Sequence, residues 1–223
     1  MKKYAFFFVI LAFILAALAC NLPNQNPALE VPVVTEPVDG FRLETLVEQE
    51  TIVSIIVPDA YFVEGAGYDF SGLIGNLDEV SGGLSPDVQS LLQGAQDDIV
   101  LWGYDAGSGA EIPTSFVVLK NTEFAAMPLG VLSTFAGTLL GNEVQIIDQS
   151  RFNIGGRDTL RWITITNQAG IELTQFELTQ AVYIFKDSGA LYLVGFNGDR
   201  QGIYGQLPMF DQIVASLSLE HLN

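Results

Sequence analysis

The chain has one cysteine and one histidine in 223 residues, and neither stands where catalysis would use it. His221 is the third residue from the end, so Ser/His and Cys/His chemistry have no well-placed base. Cys20 has no second thiol to pair with, which excludes an intramolecular disulfide, and zinc sites, built from Cys and His in groups, lack their ligands. Basic residues are scarce too: 9 Lys and Arg stand against 26 Asp and Glu, a formal charge of −17. That balance argues against nucleic acid as a partner and against adhesion by charge to an anionic lipid surface. No repeat divides the chain, and a length of 223 residues with 49% hydrophobic content suits one core better than two.

What is present begins with MKKYAFFFVILAFILAALAC. Two lysines, an apolar run from Ala5 to Ala19 and small residues before Cys20 are the three parts of an export signal. As a helix the run would span about 22 Å against a hydrocarbon core of ~30 Å, so residues 1–19 read as a removable signal peptide and not a permanent membrane span. The ending Ala17-Leu18-Ala19-Cys20 resembles the bacterial lipoprotein cleavage box, with leucine one place nearer the cysteine than in its commonest form. The resemblance implies diacylglycerol on the Cys20 thiol, cleavage after Ala19 and a protein held on the extracytoplasmic face of a bacterial membrane. Two or more acyl chains, at ~0.8 kcal/mol per buried methylene, make such an anchor effectively permanent. Processing would remove Lys2 and Lys3 and no acid, leaving 7 basic and 26 acidic residues, a net charge of −19.

Residues 20–40 read as a tether, since Pro23, Pro27, Pro32 and Pro37 favour extended backbone and leave little to build a core from. Residues 41–223 then read as a single α+β domain, an antiparallel β-sheet flanked by helices. A β-rich run from Thr51 to Val57 stops at Pro58-Asp59. LSPDVQSLLQGAQ has Ser85 as N-cap and Pro86 at the first helical position. DIVLWGYDAG and TSFVVLKN are strand-like, a helix is expected over Leu129 to Leu140, and four strands follow in VQIIDQSRFNI, RDTLRWITITN, LTQFELTQAVYIFK and ALYLVGFN. Their connections, Gly155-Gly156, Gln168-Ala169-Gly170 and Asp187-Ser188-Gly189, are good hairpin turns. A last helix, LPMFDQIVASLSL, puts Met209, Ile213, Val214 and Leu217 at helical spacing, to lie on the sheet.

In SIIVPDAY, IGGRDTLRWITI, ALYLVGFNGDR and LPMFDQIVASLSL the order of elements over about residues 48–220 resembles the PsbP-like superfamily, a layered sandwich. Tyr61-Phe62 stands where that family often has tryptophan after the proline turn. The resemblance implies a non-enzymatic accessory or binding module.

Acids are plentiful, yet neither Asp97-Asp98 nor Asn197-Gly198-Asp199 has the alternating spacing of a calcium loop, and Gly65-Ala66-Gly67 lacks the third glycine and following helix of a dinucleotide fingerprint. No metal or cofactor is expected. If Gly155-Gly156 is a two-residue turn, strand alternation puts Arg157 and Arg161 on one face with Phe152 and Ile154, and Arg151 on the other, which makes Arg157 and Arg161 candidates for an anion or partner contact, against the plainer reading of salt bridges within the chain. Trp102, Trp162, Tyr183 and Tyr192 lie inside strands as core or sheet-face residues. The expected role is therefore a membrane-anchored, non-catalytic module for another envelope component. The alternatives are a carrier of a small apolar ligand between sheet and helix, and a carboxylate-dependent hydrolase.

Overall fold

The structure, a computed structural model, describes residues 29–48, 51–65, 98–108, 113–122, 124–139, 144–166 and 178–221. The leader, Ala19, Cys20, the helix expected near Ser85 and the turn expected at Gln168-Ala169-Gly170 lie outside them. The larger sheet has eight strands in the order β1-β7-β8-β9-β10-β6-β5-β4: β1 (Leu29–Val31), β4 (Tyr61–Gly65), β5 (Ile99–Asp105), β6 (Ser115–Asn121), β7 (Val144–Ile154), β8 (Arg157–Thr166), β9 (Leu178–Asp187) and β10 (Ala190–Asp199). A second sheet, β11-β3-β2, is made from β2 (Phe41–Glu48), β3 (Thr51–Pro58) and β11 (Ser218–His221). Two helices complete the described structure, α1 (Leu129–Leu139) and α2 (Arg200–Ser216).

The two hairpins that link β7 to β8 and β9 to β10 form where their turn residues require. Gly155 and Gly156 both take positive φ, 58° and 79°, and Ser188-Gly189 repeats this with 45° and 79°, the left-handed pair that matches the twist of the flanking strands. Strands β9 and β10 carry the unbroken runs Ala181–Phe185 and Ala190–Phe196, free of polar and charged side chains apart from tyrosine, because both faces of the sheet are covered there. On one face α2 and the small sheet bury Val53, Ile55, Phe152, Ile163, Tyr183, Phe185, Tyr192, Phe196 and Phe210 in one cluster. On the other, Leu129 and Leu132 of α1 close over Leu160, Trp162, Ile184 and Leu191.

Helix α2 starts seven residues before the expected Leu207, because Asp199, at the end of β10, caps it by accepting from the Gly202 N–H at 2.8 Å. Such a cap satisfies one of the four free amide groups of a helix start and is worth about 1 kcal/mol. Pro208 lies inside the helix on its exposed side, where the amide it lacks and the clash with the carbonyl of Tyr204 cost least.

Two sequence expectations are corrected here. The sheet is mixed: β1 runs parallel to β7, with Leu29 opposite Phe152 and Val31 opposite Ile154, and the Gly155 N–H donates to the Val31 carbonyl at 2.9 Å. The tether expected over residues 20–40 therefore contributes an edge strand, and Val31 and Val34 pack on the core. Within the domain expected from residue 41, Phe41–Glu48 adds a strand that the sequence reading did not mark, β2, antiparallel to β3.

Gly103 of β5 marks a point of close approach within the sheet. A Cβ there would lie 2.6 Å from Cε1 of Phe116 and still nearer the carbonyl oxygen of Phe62. The carbonyl belongs to the backbone of β4, so the clash cannot be relieved by turning a side chain. Gly103→Ala should destabilise the fold by about 2–3 kcal/mol, read as a lower urea midpoint at unchanged m-value; an unchanged midpoint would contradict this packing.

Candidate functional site

Alternation along β7 and β8 carries Arg157 and Arg161 to the α2 face and Arg151 to the other side, as the two-residue turn requires. Arg151 stays exposed and forms a bidentate pair with Asp158, Nε to Oδ1 at 2.7 Å and Nη2 to Oδ2 at 2.5 Å; that hydrogen bond holds its pKa above the ordinary arginine value. Arg157 reaches the end of α2, donating to the Val214 carbonyl at 2.9 Å, and its guanidinium lies 4.5 Å from the centre of the Phe185 ring. A cation on the last carbonyls of a helix is favourable against the helix dipole. Burial lowers its pKa, and Asp187, 3.7 Å away, opposes that.

Arg161 sits deeper. Its Nη1 lies 3.0 and 3.3 Å from the two oxygens of Asp211 on α2, and its guanidinium carbon is 4.3 Å from the Phe152 ring centre. The Tyr183 hydroxyl donates to the same carboxylate at 2.6 Å. Arg161 and Asp211 side chains are only 12% and 15% exposed, so the pair is a strut between sheet and helix. The charges of both candidate arginines are thus met from within the chain. Sequence reasoning identified the shared face; it missed Asp211, whose place four residues before Ala215 on a helix carried no signal of which strand residue it would meet. Asp199, singled out beside Asn197, is the α2 cap. Among the described residues no three His, Cys, Asp or Glu side chains lie together as metal ligands.

Two side-chain groups stand out on the opposite face. Across β8, β9 and β10 a polar row runs from Thr164 to Gln180, 3.2 Å, and from Gln180 to Asn197, 2.6 Å, which pins the register of three strands in a way apolar side chains cannot. Toward the terminal strand β4, Phe62, Trp102 and Tyr104 form an aromatic corner. Phe62 lies 5.5 Å from Tyr104 and 6.0 Å from Trp102, with Trp102 and Tyr104 stacked at 6.1 Å. Ile99, Val117 and Leu119 extend it. Phe62 is 37% exposed, so the corner presents an aromatic edge to solvent while its floor is buried, the arrangement in which aromatic side chains contribute most to recognition.

Two outcomes test the interior part of this account. Removing one member of a buried ion pair strands its partner, so Asp211→Ala should lose about 3–5 kcal/mol in chemical denaturation, and the double change Arg161→Met with Asp211→Leu should recover most of it; equal losses for the single and double variants would count against the strut. Alkaline pH tests the tyrosines. Burial foremost raises the hydroxyl pKa of Tyr183, helped by Asp211, and of Tyr61 and Tyr192, helped by Asp105 and Asp187. The unfolded chain releases these protons near pH 10 while the folded one keeps them, so stability is full below that pH and falls above it, by up to ~1.4 kcal/mol per pH unit for Tyr183. Tyr183→Phe should flatten that slope, measured by urea unfolding between neutral and strongly alkaline pH.

No protein-family model matches the chain, and no curated protein matches it in sequence. Solved structures that resemble it include LpqN of Mycobacterium tuberculosis, involved in cell envelope biogenesis, at 12% identity and a TM-score of 0.44 over 81% of this chain and 92% of that one. Others are the cyanobacterial PsbP of Synechocystis, at 8% identity and 0.42 over 82% and 94%, and a Pseudomonas aeruginosa protein of unknown function, at 11% and 0.41 over 80% and 96%. At this level of similarity they assign neither family nor role.

Proposed function

We propose that this protein is an extracytoplasmic lipoprotein, cleaved after Ala19 and anchored through acylated Cys20, whose domain is a non-catalytic binding module for another component of the cell envelope. The observation that carries the reading is the join between address and fold: Ala17-Leu18-Ala19-Cys20 closes an export signal, and after only eight residues, Asn21 to Ala28, the chain enters the sheet as β1. The strongly acidic body keeps such a domain in solution. The aromatic corner at Phe62, Trp102 and Tyr104 is the contact surface, because it pairs a solvent-facing ring with a buried floor on the terminal strand β4.

The anchor and the surface are tested apart. Cells grown with a labelled fatty acid should tag the native protein and leave Cys20→Ser untagged; equal tagging of both would sink the anchor. A photoreactive residue at position 62 of the anchored protein, activated in its own cells, should give a reproducible adduct that the same residue at exposed Tyr204 does not; identical patterns from the two positions would remove the corner from the proposal.

A further inference from the structure

From Phe124 to Asn142 the sequence reads FAAMPLGVLSTFAGTLLGN, nineteen residues with no Asp, Glu, Lys or Arg, in a chain of which 16% is charged. After Cys20 no other uncharged run is as long. Most of it is α1 and the turn before it. Leu129 and Leu132 are spent on the core, yet the opposite side is also without charge: Phe124 is 40% and Val131 36% exposed, beside exposed Ala126, Pro128, Gly130 and Thr134. A surface helix that needed only to be wet would carry charge there.

The place of this helix relative to the chain's exit gives the bare side an occupant. Helix α1 lies beside β7, where the Gln149 side chain donates to the Ser133 hydroxyl. Because β1 is parallel to β7, with Leu29 opposite Phe152 and Val31 opposite Ile154, the Leu29 end of β1 is the one nearer Gln149, which lies three residues from Phe152, about 10 Å at ~3.4 Å per residue. Only eight residues separate Cys20 from Leu29, a reach of at most about 30 Å, which is less than the roughly 40 Å breadth of a domain this size. The charges at the rim agree. Of the two lysines that remain after processing, Lys186 lies against this segment, its Nζ donating to the Ala125 carbonyl at 2.6 Å. Long cationic side chains beside an apolar surface suit the phosphate layer of a bilayer.

We propose that the exposed side of residues 124–134 is the surface by which the domain rests on the lipid bilayer that anchors it, with Phe124 and Val131 at the headgroup boundary. This rests on the reading of Cys20 as acylated. It also sets the orientation of the domain, since α1 lies on the face of the large sheet opposite the one that carries α2 and the small sheet.

The test uses the full acylated protein in phosphatidylcholine vesicles with a nitroxide-bearing lipid. Acylation blocks the Cys20 thiol, so Val131→Cys, Phe124→Cys and, on the small sheet, Val47→Cys each offer a single site for a thiol-reactive fluorophore. An apolar face at this depth sits about 5–10 Å into the interface, so quenching at 131 and 124 should exceed that at 47 at least about twofold. Equal quenching at all three, with the parent protein taking no dye, would overturn the membrane contact and leave the anchor standing. If the parent protein takes dye at Cys20 and stays off the vesicles, the anchor fails and the contact falls with it.

Discussion

The contact between α2 and the large sheet is the constraint on which the architecture depends. Phe210 stacks on Phe196 with ring centres 4.0 Å apart and planes within 13°, and the next residue of the helix, Asp211, closes on Arg161 and Tyr183. The same helix reaches the second sheet, where the Ile56 N–H donates to the Ser216 hydroxyl at 2.9 Å, and the first hairpin, where Arg157 holds the Val214 carbonyl. One helix thus ties together two sheets that, among the described residues, share no strand pairing. The aromatic stack supplies apolar burial without direction, and the ion pair, costly to place in the interior, supplies the register and rotation of the helix.

This use of charge explains how so acidic a chain holds a compact form. Of the few cations available, Arg157 and Arg161 are drawn inside and Arg42 bridges strands, donating from β2 to the carbonyls of Pro58, Asp59 and Tyr61. The acids stay largely at the surface, where they repel one another weakly in water. The face of the large sheet away from α2 is different in kind: beside the exposed Arg151–Asp158 pair and Lys186 it is apolar, aromatic toward β4 and aliphatic at α1. A domain whose two faces differ in this way has two environments to meet.

Much of the fold was legible in the residues. The strands from β5 to β10 follow apolar runs bounded by turns, and Gly155-Gly156 forced a parity for Arg151, Arg157 and Arg161 that can be counted along the chain. The start of α2 was not legible from the apolar spacing of its second half, because its first half, RQGIYGQ, is mostly polar and covers the sheet chiefly through Ile203. Strand β2 was obscured by Leu46-Val47, which breaks the two-residue alternation. Strand β1 had no local signal at all: three residues between prolines become a strand only because β7 offers an unpaired edge.

What the sequence determined by itself is what depends on neighbours along the chain: the charge balance, the hairpin turns that need left-handed backbone, and the face to which each arginine points. Those follow from backbone sterics and the two-residue repeat of a strand. What only the tertiary structure decided is which groups meet across long separations. Arg161 and Asp211 are fifty residues apart, and Leu29 lies beside Phe152. Closing such distances costs chain entropy that no local pattern records, and the return comes only when the whole core is assembled.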